Sequence, residues 1–96
     1  MNQTTISAYP LLAQAEKLMQ AGKLEEAAQR AMAHLRQKPD EPRGLSLLGT
    51  VAMQLGALGQ AELFLRKAIA KGARDLDTRR NLASTLNQQE KLGEAS

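Results

Sequence analysis

His34 is the only histidine of the chain, and there is no cysteine. A lone imidazole does chemistry only in company, since metal sites take several ligands drawn from His, Cys and carboxylates. Here the company would have to be carboxylates at matched spacing. Glu16, Glu25, Glu26, Asp40, Glu41, Glu62, Asp75, Asp77, Glu90 and Glu94 do not converge on such a spacing. They fall at helix starts and on polar faces, where capping and solvation account for them. No Ser/His/Asp set, phosphate-cradling glycine loop or paired-acid motif is present. His34 reads as a packing or half-exposed position, so His34→Ala is expected to be nearly silent. The chain is expected to be non-catalytic, with no metal and no cofactor.

The strongest charge feature is Arg66, Lys67, Lys71, Arg74, Arg79 and Arg80, in a chain of net charge +3. A nucleic-acid surface would interleave such a cluster with stacking aromatics. One Tyr, one Phe and no Trp are available, which disfavours nucleic acid. A solvated face accounts for the cluster, and an anionic stretch of a protein partner is the next reading. The N-terminus, MNQTTISAYP, lacks the basic and apolar regions of a secretory signal. No apolar run approaches the ~20 residues of a membrane span. The expected compartment is the cytoplasm.

The elements that would position these residues are helices. Leu45, Leu48, Ala52 and Leu55 recur at spacings of three and four, the signature of one helical face. Gly56 interrupts, and Leu58, Ala61, Leu65, Ala68 and Ile69 mark a second face. Small residues among the large ones (Gly49, Ala52, Ala61, Ala68) let two helices approach closely. This hairpin is echoed at an offset of 34 residues in both directions. Leu45, Met53, Gln54, Gly56, Leu58 and Ala61 coincide with Leu11, Met19, Gln20, Gly22, Leu24 and Ala27. Leu48, Gln54, Leu58, Gly59 and Ala61 coincide with Leu82, Gln88, Leu92, Gly93 and Ala95. A fixed period of this length marks stacked repeats.

The same logic sets the boundaries. Residues 1–7 carry no period and read as a frayed tail. Ser7 is placed to cap a first helix that holds Pro10 in its first turn and runs to about Ala21. The second helix runs from about Lys23 to Gln37, the third from Pro42 to Leu55, the fourth from Leu58 to Lys71 and the fifth from Leu76 to Gln89. Asp40 or Glu41 offers a carboxylate to the third helix, and Asp75 caps the fifth. A sixth begins near Lys91.

The period and the spacing of these residues resemble the tetratricopeptide repeat, whose pattern runs W-x2-L-G-x2-Y, then A-x3-F, then P. The middle repeat reads Leu45-x2-Leu48-Gly49-x2-Ala52, then Ala61-x3-Leu65, with Ala73 at the proline. The first reads Leu11-x2-Gln14-Ala15-x2-Leu18, then Ala27-x3-Ala31, then Pro39. The third reads Arg79-x2-Leu82-Ala83-x2-Leu86, then Ala95. The resemblance implies an all-α solenoid of antiparallel hairpins in a right-handed superhelix, with repeats at 8–41, 42–75 and, incomplete, 76–96.

It further implies a protein-interaction scaffold whose first helices line a concave, peptide-binding groove. The positions carried over are Tyr9, Leu12, Glu16, Met19 and Gln20, then Arg43, Ser46, Thr50, Met53 and Gln54, then Asp77, Arg80, Ser84, Asn87 and Gln88. Gln20, Gln54 and Gln88 recur in phase. They read either as amides for a peptide backbone or as polar helix ends beside a turn. Met19 and Met53 would add adaptable apolar contact. The subclass that clamps chaperone C-termini has Lys and Asn where Leu12 and Glu16 stand, so that ligand is not predicted. Leu82, Ala83 and Leu86 would lack the cover of a complete sixth helix. That gives two further expectations: weak self-association through Leu82 and Leu86, and a place at the front of a larger enzyme-bearing chain, such as a sulfotransferase or glycosyltransferase.

Overall fold

In the computed structural model, residues 9–93 are described. They form five helices and, among themselves, no strand: α1 (Pro10–Gln20), α2 (Leu24–Gln37), α3 (Pro42–Gln54), α4 (Leu58–Ala70) and α5 (Leu76–Lys91). These are the five helices expected from the spacing, within one or two residues at each end. The predicted tail and Ser7 cap lie outside the described residues. Lys91, the expected start of a sixth helix, is the last residue of α5, and residues 94–96 are not described.

Several of the starts and stops have a local cause. Pro10 and Pro42 sit in first turns, where the missing N–H costs nothing. Of the two carboxylates expected at the start of α3, the cap is Glu41, which accepts from the N–H groups of Arg43 and Gly44. Asp75 caps α5 through the N–H of Thr78. Gly22 and Gly56 close α1 and α3 at φ of 81° and 85°, a conformation that costs a side-chain-bearing residue free energy.

Consecutive helices pack against each other, and α3 also touches both α1 and α5. Helix α3 is therefore the centre of the molecule, burying Leu45, Leu47, Leu48, Val51 and Ala52. One core cluster joins Ala15, Ala31, Leu47 and Leu48; the other joins Leu45, Ala68 and Ala73. Phe64 and Leu35 are partly buried against both. The α3–α4 seam is tight because Gly49 has no side chain: a Cβ there would lie 2.7 Å from Leu65 Cγ. Ala27, Ala31, Ala61 and Ala68 are fully buried and bring their helices close in the same way.

Candidate functional site

His34 is buried, 3 % exposed, and its Nε2 lies 2.7 Å from Glu41 Oε1. That oxygen already accepts the Gly44 N–H at 2.8 Å, and Glu41 Oε2 accepts the Arg43 N–H at 3.1 Å. A carboxylate so engaged has no proton to give, so the imidazole donates from Nε2. Tyr9 meets the His34 ring edge-on, with centroids 5.1 Å apart, and Lys38 Nζ lies 5.9 Å from the Tyr9 ring centre. The expectation that His34→Ala is nearly silent is therefore corrected. The ring is a packed, hydrogen-bonded part of the helix start, and its removal strips a partner from a capping carboxylate. Among the described residues, no three His, Cys, Asp or Glu side chains gather at metal-binding range.

A different face is concave. α1, α3, α5 and the 72–75 turn enclose a depression of about 580 Å³. Of the groove positions taken from the sequence, Glu16 and Met19 of α1, Arg43, Ser46 and Thr50 of α3, and Asp77 of α5 line it. The other nine do not. Tyr9 is engaged with His34, and Leu12 packs against the Ala15–Leu48 core. Gln20 and Gln54 are exposed last residues of α1 and α3, and Met53 is half-buried. Gln88 donates to Ser84 Oγ along the exposed side of α5, where Arg80 and Asn87 are also exposed. The three in-phase glutamines thus lie outside the depression.

The depression is held open by a polar ladder between α3 and α5. Thr78 Oγ1 donates to Asp75 Oδ2 at 2.7 Å, so its 2.6 Å contact with Ser46 Oγ is donated by the serine. Asn81 Nδ2 donates to Thr50 Oγ1 at 2.9 Å, and Thr50 Oγ1 donates to the Ser46 carbonyl. Asn81 and Arg74 line the depression and were not among the positions read from the sequence. Asn81 carried a signal: it is an amide at a register position where Leu47 and Ala13 stand in the preceding repeats. The lining holds both signs of charge, Arg43 and Arg74 against Glu16, Asp75 and Asp77.

Burial pushes the Asp75 carboxyl upward. The Thr78 hydroxyl, the Thr78 N–H, Asp75's own N–H and the Arg43 guanidinium together outweigh that, and leave its pKa below the ordinary value. Elsewhere in the basic cluster, Arg66 pairs with Glu62 at 2.8 Å and Lys71 with Asp40 at 3.6 Å.

The chain matches no protein-family model and no curated protein. No described helix is long and apolar enough to cross a membrane.

Proposed function

We propose that this chain is a non-catalytic, tetratricopeptide-like interaction module that holds an extended peptide, or an extended segment of a protein, along its concave face. The observation that supports this is the division of labour among the helices. Every residue lining the 580 Å³ depression comes from α1, α3, α5 or the turn before α5, and none from α2 or α4. That is the arrangement a superhelix of stacked hairpins produces, with first helices inside and second helices outside. The lining suits a main chain more than one particular side chain. Hydroxyls and an amide (Ser46, Thr50, Asn81) can meet backbone groups, Met19 and Leu47 give apolar contact, and Arg43 and Glu16 add a charge of each sign.

The test is a peptide-display selection on the intact chain, followed by mapping of the selected peptide by NMR shift changes. Shifts should concentrate on Glu16, Met19, Arg43, Thr50 and Asn81. Arg43→Glu should weaken the peptide by about tenfold if Arg43 contacts it directly. Shifts clustered on α2 and α4 would sink the groove reading.

A further inference from the structure

The outer face carries a second feature that the groove does not use. α2 and α4 do not approach each other within 8 Å between Cα atoms, so a notch runs between them. Leu48 and Ala52 of α3 and Phe64 of α4 line it, enclosing about 250 Å³. Ala57 and Gln60 also line it, and so do Met32, Leu55 and Leu63, which remain 47 %, 45 % and 63 % exposed. Scattered exposed leucines are ordinary, but three large apolar side chains around one apolar depression form a patch.

The patch has charged ends of opposite sign. At Leu55 it meets a second depression bordered by Glu25, Glu26 and Lys23, at the start of α2. At the other end, one helical turn beyond Met32 and Leu63, stand the exposed Arg36 and Lys67. Among the described residues, Glu25, Glu26, Arg36 and Lys67 form no ion pair. A surface that is acidic at one end, apolar in the middle and basic at the other is complementary to itself after a half-turn, the requirement of a two-fold interface.

We propose that the α2/α4 notch is a self-association surface on which a second copy of this chain docks in the antiparallel sense. Met32 and Leu63 of each copy enter the other's notch, and each acidic end faces a basic end. Two helices about 20 Å long offer roughly 400 Å² of footprint per copy. That is below the ~800 Å² per partner of a standard stable interface, so the pair is transient and concentration-dependent. The concave face stays open in the pair, which makes this inference independent of the peptide reading. It also places self-association away from α5, where Leu82 is half-buried and Leu86 only 37 % exposed.

Sedimentation equilibrium of the full 96-residue chain over a wide concentration range is the test. A monomer–dimer equilibrium that weakens with added salt is expected. Leu63→Glu and Met32→Glu should each weaken it by about tenfold or more with helix content unchanged. Two charge variants sharpen the geometry. Glu25→Lys with Glu26→Lys makes both ends basic, and Arg36→Glu with Lys67→Glu makes both ends acidic. Each should associate poorly alone, and the two should pair when mixed. The proposal is overturned if the native chain stays monomeric at every concentration, if mixing restores nothing, or if Leu86→Glu abolishes association and Leu63→Glu does not.

Discussion

The joint that seats α3 on the first hairpin and the joint that seats α5 on the second lie 34 residues apart in register, yet share almost no side chain. In the first, the capping carboxylate is Glu41, and it is gripped from behind by the buried His34 ring. Helix α3 presents Gly44, Leu47 and Val51 to that joint, all buried. In the second, the cap is Asp75, and the grip comes from Thr78 of the helix it caps. At the equivalent positions α5 presents Thr78, Asn81 and Thr85, and Ala68 stands in the place of His34. Where the preceding helix supplies a ring, the following helix supplies no side chain, since a Cβ on Gly44 would lie 2.6 Å from His34 Cδ2. Where the ring is absent, a threonine stands and donates to the cap. Volume and hydrogen bonding are exchanged between partners, so one backbone geometry is built from two chemistries.

The largest expected effect comes from removing the caps one at a time. Glu41→Ala deletes an N-cap and also leaves a buried imidazole donor without its acceptor. We expect a loss of about 2–3 kcal/mol in denaturant unfolding. Asp75→Ala deletes a cap whose partner, the Thr78 hydroxyl, keeps its contact with Ser46. Its loss should be nearer 1 kcal/mol. Equal losses would mean that the His34 bond contributes nothing.

A double-mutant cycle tests the exchange itself. Gly44→Thr in the native background drives a side chain into His34 and Leu35, costing about 2 kcal/mol by overpacking. With His34→Ala also in place, the first joint carries the Ala/Thr pair of the second, and most of that cost should be recovered. A coupling energy of about 1–3 kcal/mol is expected. Additive losses would show that the two joints are not interchangeable.

The difference between the joints also explains what could be read from the sequence. The helices, their order, the cap at Asp75 and a carboxylate cap for α3 at Asp40 or Glu41 were legible, because apolar spacing and capping are local properties of the chain. So was the alternation of α1, α3 and α5 with α2 and α4, which follows from the repeat. What His34 does was not legible. Its partner lies seven residues away across a turn, and its need for Gly44 appears only when the two helices are packed. The lining of the depression was partly legible for a related reason. A register shift carried over from one repeat to the next assumes that like positions point alike. Arg43 and Asp77, one register apart, both obey this and meet with Ser46, Thr50, Glu16 and Met19, whereas Arg80 and Ser84, in the register of Ser46 and Thr50, do not. Gln54 and Gln88, near helix ends, fall outside the depression. Asn81 broke the repeat's apolar pattern, and that break was the available signal.

A smaller effect separates the joints dynamically. α5 buries only Thr78 and Thr85, whereas α3 buries seven residues, most of them apolar. Hydroxyl and amide bonds contribute about 1 kcal/mol each net, less than a well-buried leucine. Amide exchange should therefore be faster along α5 than along α3. Thr78→Val keeps the shape but removes the hydroxyl that links Ser46 to Asp75. It should cost about 1 kcal/mol and speed exchange in α5 while leaving α1 and α2 unchanged. Equal protection of α3 and α5 would erase the distinction.

The mildest lever is acid, and it acts on one cap through a known cause. Burial raises the Asp75 pKa, but the Thr78 hydroxyl and N–H, its own N–H and Arg43 together lower it by more, so the folded-state pKa lies below the ordinary 3.8. A carboxylate depressed on folding binds fewer protons in the native state than in the unfolded chain. Its stabilisation is complete above pH ~4 and is withdrawn as pH falls through the lower, folded-state value. Denaturant unfolding measured from pH 6 downward should show α5 loosening within that acid limb. Asp75→Asn supplies the control, because asparagine caps a helix about as well as aspartate but does not titrate. The variant should match the native chain at pH 6 within a few tenths of a kcal/mol and show a flatter acid limb. If the limb keeps its slope in Asp75→Asn, the acid sensitivity does not belong to the Asp75 cap.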